Sequence, residues 1–160
     1  MLSLVLKAEL EGVTALQPTD TEENPYFYTF RVQCSSCRET HPNWVSFNRF
    51  EQHEIPGSRG EANFVWKCRL CMKTHTASIV AGPHTYQADE KEKSQKIIEL
   101  DCRGLEFTEF KPDGEWEAKG TESSTPFTAI DLYEGAWYDY DEKSYEEVSI
   151  KEITWSVGRA

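Results

Sequence analysis

The 160-residue sequence lacks a long apolar segment and has few basic side chains for its number of acidic ones. A helix that crosses a bilayer needs roughly 20 consecutive apolar residues. The 17 Lys and Arg residues are outnumbered by 28 Asp and Glu residues, so the formal charge is −11. Because binding to phosphate groups requires a basic surface, this charge disfavours both nucleic acid and anionic membranes as partners.

Export signals and common catalytic motifs are also missing from the sequence. The first residues have no basic leader and turn acidic at Glu9, so no signal peptide is predicted. We find no nucleophile elbow, no Walker or dinucleotide-binding glycine loop and no HExxH motif. We therefore expect a soluble, cytoplasmic protein that is not an enzyme, with a nuclear location also compatible.

Hydrophobic patterning predicts a mainly β protein. With 38% hydrophobic and 12% aromatic residues, the chain can bury a core. Apolar and polar residues alternate along several segments, and clusters of Pro, Gly, Asp and Ser separate them. The clearest alternating segments are Leu2–Leu10, Tyr28–Val32, Phe64–Lys67, Ile98–Cys102 and Val148–Trp155.

One strand pattern occurs twice, about ninety residues apart. An alternating strand ends two residues before a glycine, at Leu6, Ala8 and Leu10 before Gly12, and at Ile98, Leu100 and Cys102 before Gly104. Either an ancient duplication or coincidence explains the repetition. We predict a single domain, residues 1–160, built from two related sandwich- or barrel-like β lobes, approximately 1–90 and 91–160. The first lobe would carry a metal, and the second would be acidic and metal-free.

Four of the five cysteines form two CxxC pairs, Cys34 with Cys37 and Cys68 with Cys71. An odd cysteine count without an export signal disfavours disulfides. Tight turns at strand ends would bring four thiolates together, which is the tetrahedral ligand set of a structural zinc site. Iron uses the same ligands, and a redox dithiol or exchangeable metal remains an alternative. Cys102 is expected to be a core residue.

The other residues near these pairs are expected to play no part in the site. Thirty residues separate the two pairs, against about 15–20 in related patterns, so we expect an inserted hairpin made of Trp44–Phe47 and the Pro56-Gly57 turn that follows. His41 and His75 each follow a CxxC pair by four residues. Four thiolates already complete a tetrahedral site, so these histidines are interpreted as exposed loop residues.

Charge is distributed unevenly along the chain. Residues 31–75 contain seven Arg or Lys against four Glu, a net charge of +3, which leaves −14 for the remainder. Four thiolates with Zn²⁺ would bring the metal-bearing region close to neutrality. The acidic, aromatic segment from Asp131 to Glu142 is either a solvated strand edge or a docking surface for a basic protein partner.

Several segments together resemble the eukaryotic CXXC-motif-containing zinc-binding protein family. They are the N-terminal strand with Leu16-x-Pro18, both CxxC pairs, Cys102-Arg-Gly-Leu-Glu106 and Trp137-x-Asp-Tyr-Asp-Glu-Lys143. The resemblance runs from Leu4 to Trp155 and implies an all-β, two-lobed protein with one Cys₄ zinc site and no established enzyme activity. One position departs from the usual pattern: Arg38 follows the second cysteine of the first pair, where zinc knuckles commonly have a small residue such as glycine.

We expect a binding or adaptor module with one structural Zn²⁺, linked to metal homeostasis. Its partner would be another protein, and a monomer is favoured. The alternatives are a thiol-redox or metal-transfer protein that uses the CxxC pairs and a zinc-ribbon nucleic-acid binder.

Overall fold

The computed structural model describes residues 1–159, and the regular elements in this range are β-strands, which confirms the mainly β prediction. The first eight strands are β1 Leu2–Glu11, β2 Val13–Pro18, β3 Tyr28–Cys34, β4 Val45–Phe47, β5 His53–Glu54, β6 Glu61–Ala62, β7 Phe64–Lys67 and β8 Thr74–Ala81. The remaining six are β9 Ser94–Arg103, β10 Leu105–Lys111, β11 Trp116–Gly120, β12 Pro126–Ile130, β13 Trp137–Asp141 and β14 Glu146–Arg159. In the described residues there is no helix long and apolar enough to cross a membrane.

The strands form one large sheet and three small ones. The large sheet has six strands in the order β13-β14-β1-β9-β8-β7. Two three-stranded sheets have the orders β10-β3-β4 and β12-β11-β2, and β5 pairs with β6. A hairpin does form around the Pro56-Gly57 turn, as the β5–β6 pair. The expectation that Trp44–Phe47 belongs to it is wrong, because β4 pairs with β3 instead.

The strands do not divide into separate lobes at residue 90. β1 pairs with β9 and β14, β10 pairs with β3, and β11 pairs with β2. Each of these three sheets therefore contains strands from both 1–90 and 91–160, and the predicted spatial separation of two lobes is corrected to one interleaved structure. The physical reason is that the first strand of each sequence half completes its hydrogen bonds with strands of the other half.

Gly12 and Gly104 bend the chain at the two predicted positions, between β1 and β2 and between β9 and β10. Both have positive φ, 74° and 84°, a conformation that favours glycine. Neither position has room for a side chain. A Cβ on Gly12 would lie 2.7 Å from Val148 Cγ1, and one on Gly104 would collide with the ring of His75.

Aromatic side chains fill the space between the sheets. Phe30 is fully buried, and its ring stacks on Phe107 with centroids 4.5 Å apart. Trp116 is also fully buried and contacts Tyr26 and Trp155, with centroid distances of 5.5 and 5.4 Å. Because β3 contains Phe30 and ends at Cys34, the first cysteine of the first CxxC pair, the cysteine cluster is anchored to this core.

Candidate metal centre

The two CxxC pairs lie on turns at neighbouring strand ends. Cys34 is the last residue of β3, and Cys68 follows the last residue of β7. The four sulfurs lie within 4.8 Å of one another, and the cysteines are free thiols. The sulfur–sulfur distances from Cys34 to Cys71 and from Cys37 to Cys68 are both 3.6 Å.

These distances fit a tetrahedral metal site. Four thiolates at about 2.3 Å from a zinc ion would place their sulfurs about 3.8 Å apart, close to the 3.6 Å observed. Thiolates are soft ligands that select zinc, iron or copper(I) over magnesium or calcium. The structure thus brings the four cysteines chosen from the sequence into one cluster with suitable chemistry.

Backbone hydrogen bonds give the two turns the same shape. Arg38 N–H donates to the Cys34 carbonyl at 2.9 Å, and Met72 N–H donates to the Cys68 carbonyl at 2.8 Å. Arg38 and Met72 have φ of 64° and 62°, the left-handed conformation that glycine adopts most easily. Arg38 accepts this conformation, so its departure from the common knuckle pattern leaves the turn intact.

The turns favour ionised sulfur at their first cysteines. Burial raises the pKa of Cys34, but backbone N–H groups of Cys37 and Ser36 hydrogen-bond to its sulfur and lower the pKa to about 6. The Cys71 N–H likewise lowers the pKa of Cys68. Both turns therefore lower the cost of removing a proton from their first thiol, a step that metal binding requires.

The second cysteine of each turn behaves differently. The Glu39 N–H lowers the pKa of Cys37, but burial and the neighbouring sulfurs outweigh it and raise the pKa to about 12. Four adjacent thiols cannot all become anions without a cation between them. Cys34 and Cys68 are fully buried, whereas Cys37 and Cys71 are partly accessible to solvent.

His75 is a member of the site that sequence reasoning missed. The expectation that it is an exposed loop residue is wrong, because it lies on β8 and is 7% exposed. Its Nε2 lies 3.3 Å from Cys34 Sγ, and its ring packs beside Trp66. A ring N–H that donates to this sulfur stabilises the thiolate and orients it, which is the usual role of a residue next to a metal ligand.

The remaining candidates lie outside the cluster. His41 is partly buried against Trp66, with ring centroids 5.8 Å apart. Cys102 lies partly buried on β9, and burial raises the pKa of its thiol to about 12. It packs against the hydrophobic core, which agrees with the role expected from its place in the alternating strand.

Comparisons with known proteins agree with this picture. Residues 3–158 match the family model described as CXXC motif containing zinc binding protein, eukaryotic. A UPF0587 protein of Schizosaccharomyces pombe is 48% identical over 99% of this chain and 98% of its own. The Homo sapiens protein named CXXC motif containing zinc binding protein is 36% identical, with 96% and 94% of the two chains covered.

Two solved structures have the same fold. The crystal structure of C1orf123 has a TM-score of 0.90 and 35% identity and covers 99% of both chains. A hypothetical protein from Plasmodium falciparum has a TM-score of 0.85 and 26% identity, with 98% of both chains covered.

Proposed function

The chain belongs to the eukaryotic CXXC motif containing zinc binding protein family, and from this premise we propose that it is a non-catalytic binding module stabilised by one structural zinc ion. Cys34, Cys37, Cys68 and Cys71 would hold the ion. The observation that carries the proposal is the position of the four sulfurs at two strand ends, within 4.8 Å of one another. A zinc ion there would cross-link β3 to the β7–β8 hairpin.

A structural role follows from the number of protein ligands. Catalytic zinc sites have three protein ligands and keep a fourth position for water or substrate. Four thiolates fill a tetrahedral site, so no position remains for a reacting molecule. The ion would then contribute folding free energy, as metal binding does in small zinc domains.

Transfer of metal to another protein is a second candidate function. The partly accessible Cys37 and Cys71 support it, because an incoming ligand must reach a sulfur before the metal can leave. Leu70 and Met72 beside Cys71 are 63% and 59% exposed and would give an acceptor protein an apolar surface to contact.

The rate of zinc release to a chelator of moderate affinity distinguishes the two functions. For a structural ion, we expect release to be as slow as global unfolding, measured on the same sample by tryptophan fluorescence. Release much faster than unfolding, with the fold retained, would contradict the structural role and favour metal transfer. The Leu70→Ser/Met72→Ser variant serves as a control, since it leaves the ligands in place and should not change release to a small chelator.

We also propose that this protein binds a basic protein partner through the surface around β13. This strand lies at the edge of the six-stranded sheet. Tyr138 and Tyr140 are 68% and 47% exposed and line a shallow cavity with Glu11, Asp139 and Glu147. Lys151 also lines the cavity, but its ammonium group lies 3.7 Å from the Glu11 carboxylate, so the local charge remains negative.

The partner would contact side chains and not extend the sheet. Asp139 accepts a hydrogen bond from the Tyr140 N–H at 2.7 Å and so occupies part of the free strand edge. Exposed tyrosines supply contact area, and nearby carboxylates attract Lys and Arg side chains. Negative charge and aromatic surface at the same place favour a basic protein segment as the occupant.

A synthetic Lys- and Arg-rich peptide tests this surface, with a Glu- and Asp-rich peptide of equal length for comparison. In amide NMR spectra we expect the basic peptide alone to shift resonances of residues 137–151. The Tyr138→Ala/Tyr140→Ala variant should weaken its binding about tenfold or more, because exposed aromatic anchors carry much of the affinity of such surfaces. Phe27→Ala is the matched control, since Phe27 is exposed elsewhere. Equal loss in the control, or shifts spread over the whole surface, would contradict the proposal.

A further inference from the structure

The second half of the chain repeats the strand arrangement of the first half. In the six-stranded sheet, β1 corresponds to β9, β8 to β14 and β7 to β13. When each strand is replaced by its counterpart, the strand order of the sheet is the same, read from the other edge. Exchanging β2 with β10, β3 with β11 and β4 with β12 likewise converts one three-stranded sheet into the other. The turn after β3 and the turn between β7 and β8, which carry the CxxC pairs, therefore correspond to the turns after β11 and between β13 and β14.

The turn after β11 has the hydrogen bonds of the first CxxC turn. Its Ser124 N–H donates to the Gly120 carbonyl at 3.1 Å, as Arg38 N–H does to Cys34. Three further features agree between the two turns. Gly120 N–H donates to the Thr125 carbonyl as Cys34 N–H does to the Glu39 carbonyl, both at 2.9 Å, and Thr121 N–H donates to the Gly12 carbonyl as Ser35 N–H does to the Gly104 carbonyl, both at 3.0 Å. The backbone φ is 57° at Ser124 and 64° at Arg38. Gly120 thus takes the place of Cys34, and Ser123 takes that of Cys37.

The turn between β13 and β14 matches the second CxxC turn in the same way. Tyr145 N–H donates to the Asp141 carbonyl at 2.8 Å, the distance from Met72 N–H to the Cys68 carbonyl. Tyr145 has φ of 60° and Met72 has φ of 62°. Asp141 therefore takes the place of Cys68, and Ser144 takes that of Cys71.

We infer that Gly120, Ser123, Asp141 and Ser144 occupy the four positions of a second metal site, in which hydrogen bonds to the Asp141 carboxylate have replaced the ion as the cross-link between two turns. The scaffold of the site is retained, and only its ligands differ.

The Asp141 side chain provides contacts that suit this role. It is 1% exposed and accepts hydrogen bonds from the Ser123 hydroxyl, the Thr125 hydroxyl at 2.8 Å and the Lys143 and Ser144 N–H groups at 3.0 and 3.3 Å. Ser123 and Thr125 belong to one turn and Asp141 to the other, so the carboxylate joins both. The bond from Ser123 is the main cause that lowers the pKa of Asp141 to about 2.

The surroundings of Gly120 and Gly12 fit the same exchange of metal for carboxylate. A Cβ on Gly120 would collide with the Ser123 hydroxyl and lie 2.6 Å from Asp141 Oδ2, so the cluster fills the space that a cysteine side chain would need. Val148 contacts Gly12 as His75 contacts Gly104. A buried histidine thus occurs beside the cysteine sulfur, and an apolar valine occurs where no sulfur is present.

Restoring the four cysteines tests the inference. We expect the Gly120→Cys/Ser123→Cys/Asp141→Cys/Ser144→Cys variant, reduced and loaded with zinc, to bind one ion more than the wild-type chain in native mass spectrometry. Since the result is the difference from wild type, it is independent of whether the first site is occupied. The control is Thr121→Cys/Ser124→Cys/Glu142→Cys/Tyr145→Cys, which has the same spacing one residue further along each turn and should gain none.

The fourfold variant loses the hydrogen bonds of Asp141 and depends on metal for this cross-link. If it unfolds during purification, it can be refolded from denaturant with zinc present. Refolding with one additional ion supports the inference. Folded protein without the additional ion, failure to refold with zinc, or an additional ion in the shifted control would overturn it.

A second comparison tests the cross-link in the native cluster. Asp141→Asn should lower the denaturant midpoint at neutral pH, whereas Glu142→Gln, at the exposed neighbouring residue, should not. The folded pKa lies below the unfolded one, so this stabilisation is present above about pH 4 and is lost as the pH falls towards 2. The two midpoints should therefore converge over that range. Equal midpoints at neutral pH would contradict the cross-linking role.

Discussion

The Cys68→Ser variant is expected to lose its zinc and a large part of its stability. Cys68 is fully buried, and its sulfur lies 3.6 Å from that of Cys37. A serine hydroxyl is a poor zinc ligand, so zinc content should fall from about one ion per chain to near zero. We expect the free energy of unfolding to fall by about 3–5 kcal/mol, since removing a native cross-link costs about 2–5 kcal/mol and a typical domain has only about 5–15 kcal/mol.

Cys102→Ser is the matched control for this experiment. Cys102 is partly buried on β9 and lies outside the cluster. Its replacement should leave the zinc content at about one ion per chain and change stability by less than Cys68→Ser does. Metal content is measured by elemental analysis and stability by urea unfolding. A Cys68→Ser protein that keeps stoichiometric zinc would contradict the proposed ligand set.

Trp116→Ala is expected to destabilise the whole chain, including the cysteine cluster, whose strands lie in other sheets. Trp116 is fully buried in β11, and its ring contacts Tyr26 of the first half and Trp155 of the second. Truncating a buried tryptophan to alanine costs about 3–5 kcal/mol. Because the sheets interleave both halves, we expect one cooperative transition at lower urea concentration, not the loss of one half alone.

Two probes recorded on the same sample check this cooperativity. Far-ultraviolet circular dichroism reports all strands, and a zinc-sensitive dye reports release from the cysteines. In wild type and Trp116→Ala alike, both signals should change at the same urea concentration. Exposed Tyr145→Ala provides a control that should leave the midpoint near that of wild type. Zinc retained after the circular dichroism transition would show that the metal-bearing half is independent.

The strands could be predicted from the sequence, but their partners could not. Alternation at Leu2–Leu10 and Ile98–Cys102 and the glycines that follow identify two equivalent strands and bends. Equivalent strands offer nearly equivalent pairing surfaces, and local sequence does not specify whether each pairs within its own half. That choice depends on the contacts of the complete structure, which is why separate lobes were expected and interleaved sheets are found.

The four cysteines could be chosen from spacing alone, whereas their neighbours could not. His75 lies among polar residues that resemble a loop, but it shares the alternating positions of Ala77 and Ile79, and that pattern indicates an inward orientation. Asp141 belongs to an acidic segment that predicts solvent exposure. Its burial depends on hydroxyl donors from a turn 16–18 residues earlier, a pairing that is visible only in the structure.

The zinc-edge X-ray absorption spectrum of the purified chain tests the central claim most directly. Its fine structure gives the number and type of atoms bound to the metal. We predict four sulfur atoms at about 2.3 Å and no nitrogen or oxygen ligand. A nitrogen or oxygen atom at about 2.0–2.2 Å would mean that histidine, carboxylate or water replaces a cysteine, and it would contradict a closed four-thiolate structural site.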